Sequence, residues 1–195
     1  MSMQAAVAVK LDPEAEALDA LRRKDRRQAL TVLMQAYGDD LYRHCRHMLG
    51  DDDLAADVHQ TVFVHAYRDL ERFSGRSTLR TWLYGIARHR CLDAFKAKRR
   101  RRRRFVITEE LPQLADPQPR VDQRLECCGG AAALELAVQK LKPKARIAVL
   151  LRYHDGLTYE EMAEVCGERA PTLQARVARA LPVLRRSLEA PGDPT

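Results

Sequence analysis

Apolar residues recur along most of this chain at three- and four-residue steps, and no stretch of any length alternates apolar with polar. Leu30, Leu33, Met34, Tyr37, Leu41 and Met48 fall on one face of a predicted helix. Gly50 stops that helix, and Asp51, Asp52 and Asp53 suit the positive N-terminus of the next. The second helix carries Leu54, Val58, Val62, Ala66 and Leu70, with Asp57, Gln60, Thr61 and Arg68 on its polar face. A loop at Ser74, Gly75, Arg76 and Ser77 follows. Ser77 or Thr78 then caps a third helix through Leu79, Trp82, Leu83 and Ile86. The pattern predicts an all-α fold.

Two breaks divide the chain. Residues 1–15 carry little pattern and are expected to be a loose N-terminal arm. After the third helix, Arg88, Arg90, Lys96, Lys98 and the six arginines 99–104 crowd together against the single acid Asp93. Such a run repels itself and cannot enter a core. Residues 105–130 then lose the helical pattern, gain Glu109, Glu110, Asp116 and Asp122, and hold Pro112, Pro117 and Pro119. This is an acidic, proline-containing linker. It separates a first helical domain, 16–104, from a second, 131–190.

The second domain has its own punctuation. Leu134, Val138 and Leu141 restart the pattern, and Pro143 opens the helix of Ile147, Leu150 and Leu151. After the turn at Asp155-Gly156, Thr158 and Glu161 form a capping box for a short helix that Gly167 ends. A last helix carries Leu173, Val177, Leu181, Leu184 and Leu188. A capped short helix, a glycine turn and a second amphipathic helix make a helix-turn-helix. Met162, Ala163 and Val165 are expected to pack on Leu173 and Val177. The polar residues then face outward, free for a major groove. An ordinary helical hairpin with a solvated face would share this outline.

The net charge of +7 and pI of about 9.4 favour a polyanionic partner. Five cysteines, at 45, 91, 127, 128 and 166, form no CxxC pair, which supports neither a disulfide framework nor a zinc finger. Reduced thiols in a cytosol fit best. His44 and His47 share a helix face beside Cys45, but no further ligand is visible, and no metal or cofactor is expected. The six histidines have no partnered nucleophile and no glycine loop cradles phosphate, so an enzyme is not expected. No apolar run approaches the ~20 residues of a membrane span, so membrane insertion is not expected either.

The segment LLRYHDGLTYEEMAEVCGERAPTLQARVARAL resembles region 4, the promoter-binding C-terminal domain of extracytoplasmic-function sigma factors. The segment DDDLAADVHQTVFVHAYRDLERFSGRSTLRTWLYGIARHRCLDAFKAKRR resembles their region 2, with its D-x-x-Q-x-x-F core and RTWL segment. The resemblance covers roughly residues 18–104 and 131–188. It implies a bacterial, cytoplasmic protein that binds core RNA polymerase and promoter DNA. It assigns Asp57, Gln60 and Thr61 to the face that docks on polymerase. Phe73, Ser74, Gly75, Arg76 and Ser77 match the loop that captures a flipped minus-ten base. Arg80, Trp82, Tyr84, Arg88 and His89 match positions that meet melted minus-ten DNA, with Trp82 also open to a plain core role. Arg152, Tyr159, Thr172, Gln174, Ala175, Arg176 and Arg179 match contacts to the minus-thirty-five element.

Three positions depart from the family pattern. Thr61 stands where Glu is usual, which makes it a candidate phosphosite for a Ser/Thr kinase; an anti-sigma factor is the other regulator implied. Gln174 and Ala175 replace a basic residue and a serine. Pro182 is expected to kink or end the recognition helix. Two other classes compete: a stand-alone helix-turn-helix regulator using the second domain only, and an arginine-rich RNA binder.

Overall fold

The computed structural model describes residues 12–108 and 129–189, and the side-chain surroundings of 12–101 and 130–189. The arm before residue 12, the segment 109–128 of the expected linker and the tail after 189 lie outside these. Helices form every regular element among the described residues. The first domain holds α1 (Pro13–Arg22), α2 (Arg26–Leu49), α3 (Asp52–Asp69) and α4 (Leu79–Thr108). The second holds α5 (Gly129–Lys140), α6 (Pro143–Val149), α7 (Tyr159–Cys166) and α8 (Ala170–Glu189).

Local chemistry sets the boundaries. Asp12 caps α1 by accepting from the Glu14 N–H, and Pro13 opens its first turn. The helix therefore begins inside the stretch expected to be loose. Asp25 and Asp51 cap α2 and α3 in the same way. Gly50 closes α2 at φ +63°, a conformation glycine adopts without strain. Thr78, not Ser77, caps α4, its Oγ1 accepting from the Thr81 N–H at 3.0 Å. The basic run does not break α4, which continues to Thr108. Pro143 stands in the first turn of α6, whose end widens into a π turn over Leu150–His154.

The Thr158–Glu161 capping box forms as its sequence predicts, and Gly167 closes α7 at φ +63°. Pro182 does not end α8: the helix runs on to Glu189, with Pro182 exposed and Leu184 buried behind it. The apolar stripes are narrower than their patterns suggest. Met34, Leu134, Leu181 and Leu188 lie on the surface, while Leu33, Leu41, Met48, Leu173, Val177 and Leu184 are buried. Ala163 is only partly buried against the core. No described helix is long and apolar enough to cross a membrane.

The two domains do not stand apart. Their buried residues form one continuous core, with α2 and α4 of the first domain packed against α5, α6, α7 and the π turn of the second. Arg146 of α6 ties this seam. Its guanidinium donates to the carbonyls of Val138 and Leu141 at 3.1 and 3.3 Å, to Gln139, and across the seam to Met48. The Val138, Gln139 and Met48 carbonyls lie in the last turns of α5 and α2, at the negative end of each helix. Burial pulls the Arg146 pKa down to about 10. Gln139 Nε2 donates to the His47 carbonyl at 2.7 Å. The second domain thus caps the end of α2.

Candidate nucleic-acid interface

On α3, Asp57 and Gln60 are exposed and Thr61 is half-buried. Phe63, the last residue of the D-x-x-Q-x-x-F pattern, is buried and anchors the helix. Beside this polar face lies an apolar groove lined by Leu30, Met34, Phe63, Val64 and Tyr67. Periodicity alone hides this groove, because Leu30 and Met34 belong to the same stripe as the core residues of α2.

The loop 73–77 and the start of α4 bring the predicted minus-ten residues together. Ser74, Gly75 and Arg76 are exposed, and Phe73 meets Trp82 edge to face at 5.6 Å. Trp82 is half-buried, packed on the core and open on one side. Phe73, Ser74, Arg76, Ser77, Trp82 and His89 line a cleft whose far wall is Glu164 and Val165 of α7. His89 lies exposed at its edge, its pKa lowered by partial burial and by Arg88 and Arg90.

Tyr84 corrects its sequence assignment in this state. It is 1% exposed, and its hydroxyl donates to Asp155 Oδ1 at 3.2 Å, so no base can stack on it. Arg80 donates to the Asp155 carbonyl and lies over the Tyr84 ring. Burial pushes the pKa of the Cys166 thiol of α7 up, and the nearby Arg88 charge works against that rise. Two of the predicted minus-ten residues, Arg80 and Tyr84, are therefore engaged by Asp155 of the second domain.

Asp155 is the centre of that seam. Its Oδ2 pairs with Nδ1 of His44 at 2.6 Å and its Oδ1 with Nδ1 of His154 at 2.8 Å. Burial pushes the Asp155 carboxyl up, but the charge of His44 and the bonds from both histidines overcome it and hold it at about 2. For His44, burial disfavours the charge, and the Asp155 carboxylate more than offsets this, so the pKa is raised. Neither role is read from the sequence, where Asp155 is a turn residue and His44 is weighed only as a metal ligand that is not expected. A signal existed: His44 lies between Leu41 and Met48 in an apolar stripe, where a polar ring needs a buried partner. Among the described residues, no three His, Cys, Asp or Glu side chains converge as a metal site requires.

The helix-turn-helix presents a different picture. Thr172, Gln174, Ala175 and Arg179 are exposed along one side of α8, and Leu173 and Val177 are buried on the other. Arg176 is held by Glu168, its Nη1 donating to Oε1 at 3.1 Å. Arg152 donates to the Leu157 carbonyl at 2.9 Å and stacks over the half-buried Tyr159.

Known proteins share these features. The family model Sigma-70 region 2 matches residues 33–101, and Sigma-70, region 4 matches residues 131–181. The ECF RNA polymerase sigma factor SigC of Mycobacterium tuberculosis is 33% identical over 186 residues, covering 94% of this chain and 96% of that protein. The RNA polymerase sigma-H factor of Pseudomonas aeruginosa is 28% identical, covering 91% and 95%. Two solved structures share the fold. One is the sigma factor RpoE in complex with the anti-sigma factor NepR from Bartonella quintana, at TM-score 0.62 and 24% identity over 86% of this chain and 98% of that one. The other is CnrH in complex with the cytosolic domain of CnrY, at TM-score 0.66 and 21% identity over 91% and 98%.

Proposed function

The chain belongs to the extracytoplasmic-function sigma factors, and from that premise we propose how its own residues divide the work. A sigma factor joins core RNA polymerase and directs it to promoters, and that function prevails over a stand-alone regulator because region 2 and region 4 are both present in order. The chemistry of RNA synthesis stays with the polymerase, so this chain needs no catalytic group or cofactor. Its place of action is the bacterial cytoplasm.

In this reading Asp57, Gln60 and Thr61 dock on polymerase, and the apolar groove beside them buries its rim in the same contact. Phe73, Ser74, Gly75, Arg76 and Ser77 hold a flipped base of the minus-ten strand. Arg80, Arg88 and His89 hold its phosphates, and Trp82 offers a ring face to its bases. On α8, Thr172, Gln174, Ala175, Arg176 and Arg179 enter the major groove of the minus-thirty-five element, with Arg152 and Tyr159 on the flanking backbone. An anti-sigma factor is the regulator most in keeping with the fold neighbour held by NepR.

The observation that carries the reading is the exposed polar face of α8 behind a fully formed capping box, on the same chain as the exposed Asp57–Gln60 face. Core polymerase binding, measured by fluorescence anisotropy, tests the docking face. Asp57→Arg should weaken it about tenfold, because a charge-assisted contact becomes a repulsion. Equal binding by Asp57→Arg and the parent would refute that assignment.

A further inference from the structure

We propose that Glu14 of α1 is a positioning residue for the minus-ten site: its carboxylate caps the first turn of α4 and so fixes the loop 73–77 against Trp82. The proposal rests on the sigma-factor reading for what that loop and Trp82 do, and on the geometry for the cap itself.

The start of α4 is abrupt. Ser74, Gly75 and Arg76 are exposed, and Leu79 is fully buried. A helix start leaves N–H groups without an intrahelical acceptor. Thr78 serves one of them, its Oγ1 accepting from the Thr81 N–H at 3.0 Å. The Leu79 N–H instead donates to Oε1 of Glu14, 65 residues earlier in the chain. Leu79 is 0% exposed, so water cannot stand in for that oxygen, and a buried donor left without an acceptor is costly.

Glu14 is itself held in place. Its position falls in the stretch that periodicity leaves without pattern. Asp12 accepts from the Glu14 N–H at 3.1 Å and Pro13 opens the turn, so Glu14 stands on the ordered first turn of α1. The buried Ala17 and Ala20 join that helix to the core, packed on α2. Tyr37 of α2 lies beside the carboxylate. Burial raises the Tyr37 pKa, the Glu14 and Asp12 charges raise it further, and the Arg80 charge acts against the rise. Glu14, Tyr37 and Arg80 therefore share one neighbourhood at the start of α4. A carboxylate there also meets the positive end of the α4 dipole.

The turn that Glu14 pins carries the reading residues. Trp82 completes it, its backbone N–H donating to the Thr78 carbonyl at 3.0 Å, and its ring meets Phe73 edge to face at 5.6 Å. Arg80 stands on the same turn. Fraying of the turn would free Arg80 and Trp82 from the loop, and binding of a flipped base would first have to re-form it. Glu14 touches no DNA; it acts through α4. The outward face of α8 has no part in this turn and should not respond.

The test compares parent, Glu14→Ala and Glu14→Gln, first as full chains and then on core polymerase. Circular dichroism checks that each is folded. Trp82 is the only tryptophan in the chain, so acrylamide quenching of its fluorescence reads the order of the turn directly. On polymerase, filter binding in the cold to a promoter fragment recovered with the bound protein reads the first, duplex complex. Permanganate reactivity of the minus-ten thymines reads the rate of strand opening. Glutamine keeps the acceptor oxygen for the Leu79 N–H and loses only the charge. Glu14→Ala should expose Trp82 to the quencher and slow strand opening about fivefold, the fold-change that corresponds to a helix cap of about 1 kcal/mol. Affinity in the first complex should stay at the parent value, and Glu14→Gln should restore most of both losses. Unchanged Trp82 quenching in Glu14→Ala, strand opening and first binding weakened alike, or a Glu14→Gln variant as impaired as Glu14→Ala would each overturn the proposal. If quenching follows the expected pattern but the parent on core polymerase opens no promoter, the sigma reading fails and the cap stands.

Discussion

His44 and Asp155 stand 111 residues apart in the chain and 2.6 Å apart in the fold, with both side chains fully buried. Each domain contributes one partner, so the pair exists only when the domains touch. Removing one partner of a buried ion pair leaves an uncompensated charge, which typically costs about 3–5 kcal/mol. Separation instead lets water reach both groups, and the loss is smaller.

This pair gives the closed state a pH dependence. His44 has a raised pKa in the closed form, so its contribution is full below its ordinary 6.5 and is lost as pH rises through the raised value. Asp155 is depressed to about 2, so its contribution is full above its ordinary 3.8 and lost only in strong acid. His47 at the same seam is depressed by burial and by His154, so it opposes closure below 6.5. Tyr84 and Cys45 also face His44, and Arg46, Glu135 and His154 face His47. Closure should therefore peak at or above pH 6.5 and weaken on the alkaline side. Scattering across pH 6–9 checks this, and His44→Gln should abolish the alkaline limb. A parent whose radius of gyration is flat across that range would contradict a part for His44 in holding the seam.

The capping box has a simpler consequence. Thr158 Oγ1 accepts from the Glu161 N–H at 3.2 Å, and Glu161 returns a bond to the Thr158 N–H at 2.7 Å. Thr158→Ala breaks the exchange and should cost about 1 kcal/mol of stability. Thermal unfolding followed by circular dichroism measures it, and an unchanged midpoint would contradict the account of how α7 starts.

DNA binding by the recognition helix should depend on salt. Each phosphate contact adds about −0.9 to the slope of log affinity against log salt. Arg176→Ala with Arg179→Ala should weaken minus-thirty-five binding by polymerase carrying this sigma factor and flatten the slope by about 2. An unaltered slope would move the DNA face off α8. Arg176 must first leave Glu168, whose carboxyl pKa is lowered mainly by that bond, so Glu168→Ala should strengthen binding modestly.

Much of this molecule is legible before folding. Gly50, Asp51, Pro143, Thr158 and Gly167 act where their local chemistry says they should, because capping depends on a few neighbouring backbone groups. Helix faces are less legible: Met34 and Leu181 match the period yet lie outside, since periodicity cannot tell a core from a second groove. The seam is least legible. Tyr84, His44, Asp155 and Arg146 find partners far along the chain, and no local pattern encodes which ones. The polar role assigned to Tyr84 follows from its motif, but its burial follows from the other domain.

Thr61 offers a test of regulation. It is half-buried beside the exposed Asp57 and Gln60, at a position where the family pattern carries a carboxylate. Phosphorylation would add about −1.5 to −2 charges and three acceptor oxygens there. If a Ser/Thr kinase controls this chain, Thr61→Glu binds core polymerase more tightly than the parent and Thr61→Ala does not. Equal binding by all three forms means that Thr61 is no switch.

The central claim is that this chain supplies promoter specificity to core RNA polymerase. Run-off transcription with purified core polymerase measures it, using genomic fragments recovered with the polymerase-bound protein as templates. The account predicts discrete transcripts only when the protein is added, and their loss with Asp57→Arg or with Arg176→Ala and Arg179→Ala combined. Tight binding to those fragments by the protein alone, with no transcript when core polymerase is present, would contradict it.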